Sequence, residues 1–176
     1  GMFPMALENG ELGWFSPDPR GIIPIRAFHV PHGLEKVLRK CPFEVRFNSA
    51  FGDVMRGCAA RETTWINEAI LESYTALHRM GYAHSVEVWR DGKLRGGLYG
   101  VSLGGAFFGE SMFSRVPNAS KVALAHLVNR LDERGFVLLD TQWVTEHLTQ
   151  FGAHEIPRST YLKRLNKALN LHCSFS

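Results

Sequence analysis

The fold is decided by residues 85–103, which read SVEVWRDGKLRGGLYGVSL. Polar and apolar side chains alternate over 85–89, which is typical of a strand, and Asp91-Gly92 is a strong hairpin-turn signal. A glycine-rich apolar strand follows over 94–103, and Ala106-Phe107-Phe108 continues the series. We therefore predict a meander of antiparallel strands.

Helical patterns and shorter strands flank this meander. Gly81 and Gly135 each follow a helical pattern, at the position where a left-handed C-terminal cap is expected. The predicted helices cover 51–60, 67–80, 118–134, 143–151 and 158–169, and the predicted shorter strands cover 44–47 and 136–139. This order predicts a single α+β domain over residues 1–176, with one mixed sheet and helices packed against it. Residues 1–24 are rich in Gly and Pro, so we expect them to wrap over the core as turns and short extended pieces.

The composition is that of a globular domain, and it argues against a disordered or fibrous chain. Hydrophobic residues make up 45% of the sequence, and 20 Lys and Arg against 17 Asp and Glu leave a formal charge of +3. The three cysteines form no C-x-x-C pair, which favours a reducing compartment. No apolar run approaches the roughly 20 residues that span a bilayer. We expect a cytoplasmic protein with no membrane segment.

Histidines and glycines do not form the usual ligand patterns. The closest approach to a metal pair is His147 with His154, across a glycine-containing loop, so we expect no metal site. There is no phosphate-loop motif and no G-x-S-x-G elbow, and Gly96-Gly97-Leu98-Tyr99-Gly100 does not follow the dinucleotide pattern.

Two groups of polar residues follow apolar strands. Asp140-Thr141-Gln142 comes directly after a buried strand, and residues i and i+2 of an extended backbone point to the same face, so Asp140 and Gln142 should project together. Binding of loop backbone by these side chains is an equally open alternative. Glu110 follows two phenylalanines and a glycine, and a carboxylate in such surroundings needs a partner; the alternative to a functional role is a salt bridge to Arg115 or Arg20.

Aromatic and basic residues have more than one interpretation. Trp65 precedes a predicted helix, where Thr64 is a possible N-cap, and its indole either packs in the core or stacks on a base. Core packing is the commoner case, and more so for the other tryptophans, Trp14, Trp89 and Trp143. A basic cluster, Lys36, Arg39 and Lys40, and a second one over 163–167 are most often solvated helix faces.

Taken together and in order, nine motifs resemble those of the leucyl/phenylalanyl-tRNA-protein transferase family. They are Gly1-Met2-Phe3-Pro4, Trp14-Phe15-Ser16-Pro17-Asp18-Pro19-Arg20, Thr64-Trp65-Ile66, His84-Ser85-Val86-Glu87-Val88-Trp89, Gly96-Gly97-Leu98-Tyr99-Gly100-Val101, Gly109-Glu110-Ser111-Met112-Phe113-Ser114, Ala119-Ser120-Lys121, Asp140-Thr141-Gln142 and Glu155-Ile156-Pro157-Arg158. The resemblance implies an N-acetyltransferase-like (GNAT-like) core that uses aminoacyl-tRNA and no cofactor. The coenzyme A loop Q/R-x-x-G-x-G/A is not found in the sequence.

The resemblance also implies roles for individual residues. An apolar pocket for the donor side chain is expected from Leu98, Met112, Leu124, Leu127, Leu131 and Leu139. Trp65 would pack on the 3′-terminal adenosine, and Met5 stands where the family has a second tryptophan. Gln142 would contact the attacking amine, and Asp140 would polarise or position Gln142. Either Asp140 or water would take the proton of the amine. Glu110 would orient the aminoacyl-adenosine. Lys36, Arg39 and Lys40 would contact tRNA phosphates.

The function implied is transfer of Leu, and also of Phe and Met, from aminoacyl-tRNA to proteins that begin with Arg or Lys, which marks them for degradation. Two alternatives remain at this point: a GNAT-like N-acyltransferase acting on another amine, and a non-catalytic module that binds tRNA ends or protein N-termini. The second is favoured by one departure from the family, because the chain begins at the Gly-x-Phe-Pro motif and the family's usual N-terminal subdomain is expected to be absent.

Overall fold

The structure, a computed structural model, describes residues 1–7, 9, 11–60 and 64–176. Glu8 and Gly10, within the opening segment expected to form turns, lie outside the described residues, as do Arg61, Glu62 and Thr63. The strands are β1 (Phe3–Ala6), β2 (Leu12–Phe15), β3 (Arg20–Ile23), β4 (Glu44–Phe47), β5 (Ala83–Arg90), β6 (Lys93–Leu103), β7 (Ala106–Ser114), β8 (Leu138–Gln142) and β9 (His154–Ile156). The helices are α1 (His32–Lys40), α2 (Phe51–Ala59), α3 (Glu68–Arg79), α4 (Ala119–Glu133), α5 (Glu146–Thr149) and α6 (Arg158–Leu169).

The main sheet has seven described strands in the order β4-β5-β6-β7-β8-β3-β9. Its neighbours are antiparallel except for β7 and β8, which run parallel and are connected through α4. Strands β1 and β2 form a separate antiparallel hairpin. The mixed sheet with helices packed against it confirms the predicted α+β class.

Helices cover both faces of this sheet. Leu98 packs with α4 in one apolar cluster, whereas its neighbour Tyr99 packs with α2 and α3 in a second cluster. Leu139 and Leu138 divide in the same way between the α4 cluster and a third cluster that contains residues of α6. Gly96 permits the close approach of α4, because a Cβ there would lie 2.6 Å from the Cβ of Ala119.

The parallel pair β7 and β8 is joined only near its beginning. Ala106, Phe107 and Phe108 pair with 138–140, while the remainder of β7 has no pairing to β8. The two strands therefore part at Gly109, and residues beyond that point face an opening between them. This gap positions the candidate site.

Several element boundaries follow the sequence-based predictions. Asp91 and Gly92 have φ values of 53° and 67°, so the hairpin turn is confirmed. Helix α6 has the predicted limits, and Gly81 and Gly135 have φ values of 82° and 77° after α3 and α4.

Other predictions are wrong. Strand β3 is fully buried inside the main sheet and does not wrap over it; its four residues are too few to show a periodic pattern. The helix predicted over 143–151 is reduced to the short α5. The side chain of Asn67, not that of Thr64, caps α3 by accepting a hydrogen bond from Ile70 N.

Candidate active site

A cavity of about 430 Å³ opens where β7 and β8 part. Strand β7 contributes its Gly109 to Met112 segment, and the end of β8 contributes Thr141 and Gln142. The remaining lining residues are Met5, Ile23, Trp65, Leu98, Tyr99, Leu124, Leu127, Leu139, Trp143, Thr145, His147 and Leu148. The cavity thus has mainly apolar walls with a few polar groups, as small-molecule sites do.

Five of the six residues predicted for an apolar pocket line this cavity. They are Leu98, Met112, Leu124, Leu127 and Leu139. The sixth, Leu131, does not line it and is completely buried in the core cluster around α4. Leu131 lies on the same helix face as Leu124, but seven residues along α4 carry it about 10 Å away, past the end of the cavity.

Trp65 and Met5 line the same cavity from different elements. Trp65 is half-buried just before α3, where it also packs against the α2–α3 cluster; stacking of its indole on a base stays a prediction. Met5 belongs to the β1–β2 hairpin. The hairpin contacts the cavity wall through Phe3, whose ring meets the ring of Trp143 edge-on at 5.1 Å between centroids.

Glu110 and Gln142 meet at the polar edge of the cavity. Gln142 Nε2 donates a hydrogen bond to Glu110 Oε2 at 3.1 Å, and Tyr74 also hydrogen-bonds to Glu110. Burial raises the pKa of Glu110 to about 7, with the charge of Asp140 adding to the effect, although the two hydrogen bonds and Arg20 oppose it. Because the amide nitrogen of Gln142 is directed at Glu110, its Oε1 remains an acceptor for a donor in the cavity.

Asp140 lies outside the cavity and is fully buried. It accepts four hydrogen bonds: from Arg20 Nε (3.0 Å) and Nη2 (2.7 Å), from Tyr161 Oη (2.5 Å) and from the backbone N–H of Gln142 (2.7 Å). The prediction that Asp140 and Gln142 project together is wrong. A register shift in the β3–β8 pairing at Thr141 and a φ of 66° at Gln142 turn the two side chains apart.

The basic residues predicted to contact tRNA lie on α1. Lys36, Arg39 and Lys40 are exposed, and none of them lines the cavity. Arg39 and Lys40 occupy the last turn of α1, where positive charge also stabilises the helix dipole.

The predicted partners of Glu110 are engaged elsewhere. Arg20 pairs with Asp140, and Arg115 Nη1 donates to the carbonyl oxygen of Leu94 at 3.3 Å. The salt-bridge alternative for Glu110 is therefore wrong.

The positions of several side chains in or near the cavity, and of Trp14, were not predicted from the sequence. Tyr74 has the helical spacing of a core residue and gives no sign of its contact with Glu110. Trp143 and Trp14 were both expected in the core. Trp143 is 42% exposed and lines the cavity, and Trp14 is 64% exposed. His147 also lines the cavity, and burial and the nearby Lys121 lower its pKa. In the sequence it was considered only with His154 as a possible metal pair, which was set aside, so nothing indicated a place in the cavity.

Neither a metal centre nor a membrane segment is found in the part of the chain that the structure describes. No group of three or more His, Cys, Asp or Glu side chains in 1–7, 9, 11–60 and 64–176 is arranged to hold a metal ion. Within the same residues, every helix is too short or too polar to cross a bilayer.

Comparison with known proteins gives extensive similarity. A family model described as leucyl/phenylalanyl-tRNA protein transferase matches residues 22–166. The leucyl/phenylalanyl-tRNA–protein transferase of Phenylobacterium zucineum is 56% identical over 181 residues, which cover 99% of this chain and 82% of the relative. That of Paramagnetospirillum magneticum is 57% identical over 175 residues, covering 96% of this chain and 84% of the relative.

Among solved structures, L-PGS from Bacillus licheniformis aligns with a TM-score of 0.48 at 11% identity, over 85% of this chain and 51% of that one. The family assignment rests on the sequence matches, which cover most of the chain at more than half identity. This chain belongs to the leucyl/phenylalanyl-tRNA protein transferase family.

Proposed function

We propose that this chain transfers leucine, and also phenylalanine and methionine, from aminoacyl-tRNA to the N-terminal α-amine of proteins that begin with Arg or Lys, and so marks them for degradation in the cytoplasm. The names of the curated relatives, leucyl/phenylalanyl-tRNA–protein transferase, support leucine and phenylalanine as donors and a protein as acceptor. The observation that carries the proposal is an apolar cavity with the hydrogen-bonded Glu110–Gln142 pair at its edge. In this proposal residues 1–176 form a single domain, which contains the residues that line the cavity.

The donor side chain enters the apolar part of the cavity. Leu124 and Leu127 of α4 face it from one side, and Met112 of β7 lines it as well. An unbranched thioether adapts its rotamers to ligands of different shape, so Met112 can adjust to Leu, Met or Phe. The 3′-terminal adenosine then packs on Trp65, with the softer sulfur of Met5 nearby.

The ester of the tRNA is already activated, so the protein has mainly to align the acceptor amine with it. The amine nitrogen attacks the ester carbonyl carbon, a C–N bond forms, and the C–O bond to the ribose breaks. The Gln142 Oε1 accepts a hydrogen bond from an N–H of the amine, which directs the lone pair of the amine nitrogen to the ester carbonyl carbon. Glu110 orients the ribose of the aminoacyl-adenosine.

The proton released by the amine passes through solvent to the leaving ribose oxygen. A glutamine amide is too weak a base to take it. Asp140 is unsuited to this role, because it is fully buried and its four acceptor positions are filled. We therefore assign Asp140 to the positioning of Gln142.

The test is transfer of labelled leucine from Leu-tRNA to peptides beginning with Arg, Lys, Glu or Ala. We expect product with the Arg and Lys peptides, and a loss of about 10-fold or more in kcat for Gln142→Ala with little change in tRNA affinity. Parallel reactions with acetyl-coenzyme A identify an acetyltransferase. Binding of Leu-tRNA without product in any reaction would contradict the proposal and favour a non-catalytic module.

The basic cluster on α1 is tested by charge reversal. Lys36→Glu combined with Arg39→Glu and Lys40→Glu should weaken tRNA binding and flatten its dependence on salt, because fewer counterions are released from phosphates. The matched control is the same reversal at Lys163, Arg164 and Lys167, which are exposed on α6. Equal effects of the two triple variants would show that the cluster on α1 acts only through overall charge.

A further inference from the structure

Strand β8 ends in an unusual turn centred on Gln142. The backbone N–H of Trp143 donates to the carbonyl oxygen of Thr141 at 2.7 Å, and Gln142 has a φ of 66°. An i to i+2 hydrogen bond around a residue of positive φ is the rare and strained form of the γ-turn. Such a conformation persists in a residue with a side chain only when its surroundings enforce it.

The surroundings of this turn do enforce it. Asp140 Oδ1 accepts the backbone N–H of Gln142 at 2.7 Å in a completely buried contact. On the neighbouring strand, Gly21 is the register partner of Gln142, and a Cβ there would lie 2.7 Å from the carbonyl carbon of Trp143. The backbone of the turn is thus held from one side by a carboxylate and pressed against a glycine on the other.

Asp140 is itself held by two side chains that lie outside the cavity. Arg20 binds both of its oxygens, and the hydroxyl of Tyr161 donates to Oδ2 at 2.5 Å. The guanidinium of Arg20 also stacks on the Tyr161 ring, 4.6 Å from its centroid. Because Arg20 is on β3 and Tyr161 on α6, the carboxylate is fixed to two other elements of the fold.

We propose that Arg20 and Tyr161 are positioning residues for the transfer reaction: they hold Asp140, Asp140 holds the turn, and the turn aims the Gln142 amide at Glu110 and the cavity. This inference rests on the proposed function for its kinetic part. Neither residue touches a substrate. Tyr161 acts through Asp140 and Gln142, whereas Arg20 also donates to the carbonyl oxygen of Gly1 at 2.6 Å and lies 5.2 Å from the centroid of the Phe3 ring.

Tyr161→Phe tests the proposal with the smallest change, since it removes one hydroxyl and keeps the ring. The matched control is Ser85→Ala, because the Ser85 hydroxyl donates at 2.5 Å to Glu87, another fully buried carboxylate, which has no contact with the cavity. We expect kcat to fall about 10- to 100-fold in Tyr161→Phe, because a small misplacement of reacting groups slows the reaction by this order. The KM for Leu-tRNA should not change. Ser85→Ala should keep the kcat of the unmodified chain.

A double-mutant cycle with Gln142→Ala separates positioning from general loss of structure. If Tyr161 acts through Gln142, adding Tyr161→Phe to Gln142→Ala lowers kcat by less than twofold, because the path of its action is already gone. If the loss of kcat in the double variant equals the product of the losses in the two single variants, the proposal is overturned. If Tyr161→Phe does not fold, Arg20→Lys replaces it in the same cycle, since lysine keeps the charge and loses the two-point contact.

Hydrogen exchange at the Gln142 backbone amide supplies a readout that needs no activity. We expect faster exchange of this amide in Tyr161→Phe and unchanged exchange in Ser85→Ala. Unchanged exchange in both variants overturns the inference even if the chain is an active transferase. A different result separates the two proposals. If the unmodified chain transfers no leucine, but exchange at Gln142 is faster in Tyr161→Phe and unchanged in Ser85→Ala, the proposed function is overturned and the positioning of Gln142 remains supported.

Discussion

Asp140 and Glu110 are two carboxylates in contact with the same residue, and their surroundings differ sharply. Asp140 accepts the backbone N–H of Gln142 and is satisfied by a buried arginine and a tyrosine hydroxyl. Glu110 accepts the side-chain amide of Gln142 and is bordered by apolar cavity walls, with a tyrosine and no ion-pair partner among the described residues. The first is a fixed structural support, whereas the second has a pKa of about 7 and can change charge near neutrality.

One glutamine is thus held at two ends, its backbone and its side chain, by carboxylates of different kinds. A buried carboxylate whose acceptor positions are all filled, such as Asp140, loses a partner only at a large cost in free energy. It therefore holds the backbone of Gln142 in place. A carboxylate in an apolar wall costs free energy when ionised and is free to respond to what enters the cavity. The following predictions test this distinction.

The largest effect should come from Asp140→Ala. It leaves the guanidinium of Arg20, which is 1% exposed, buried without its counter-charge. Removing one partner of a buried ion pair costs about 3–5 kcal/mol, so the free energy of unfolding should fall by that amount in urea denaturation. A loss below about 1 kcal/mol would show that Asp140 is not the fixed support described here.

The pH dependence of stability should depend on Glu110. The unfolded chain titrates this group near 4.5 and the folded chain near 7, so between these values the folded state holds the proton more tightly. The stability contributed by protonated Glu110 is therefore complete below pH 4.5 and is lost as pH rises through 7, by about 3 kcal/mol at most.

Glu110→Gln removes this titration and keeps the shape of the side chain. We expect its unfolding free energy to exceed that of the unmodified chain at pH 8 and the difference to vanish near pH 4.5. Urea denaturation of both proteins across this pH range is the measurement. Parallel curves over the whole range would contradict the assigned pKa.

The smallest effect should be shared by Tyr161→Phe and Ser85→Ala. Each removes one hydroxyl donor from a buried carboxylate, Asp140 in one case and Glu87 in the other. A single hydrogen bond to a charged group contributes about 1.5–3 kcal/mol to stability, so thermal unfolding should show similar losses for both, smaller than that of Asp140→Ala. A loss in Tyr161→Phe that exceeds the other severalfold would mean that its kinetic effect follows from damage to the fold.

Much of the architecture was predictable because its signals are local. The Asp91-Gly92 turn, the sequence pattern that predicted β5 and the period of α6 each lie within one short segment, although β5 is buried on both faces. The failures lie where tertiary contacts override such signals. Strand β3 is buried on both faces and has no alternation, and the pattern over 143–151 forms only the short α5, with part of the segment serving as cavity wall.

The candidate site divides in the same way. Five of six pocket residues and the pair Glu110 and Gln142 were predicted on family motifs and do line one cavity. The depth of that cavity along α4 was not predictable, so Leu131 was placed in the pocket although it does not line the cavity. Tyr74 was missed because its spacing along α3 is also that of a buried apolar residue.

The sequence by itself determined the family, the meander and the residues available for chemistry, because motifs and periodic patterns are properties of neighbouring positions. Only the tertiary structure decided that Asp140 and Gln142 face different ways, since the bulge at Thr141 and the positive φ of Gln142 depend on Gly21 across the sheet. It also brought Arg20 and Tyr161 to Asp140 from 120 and 21 residues away. No local pattern records such a contact, because hydrogen bonding in a buried network is set by the packing of whole elements.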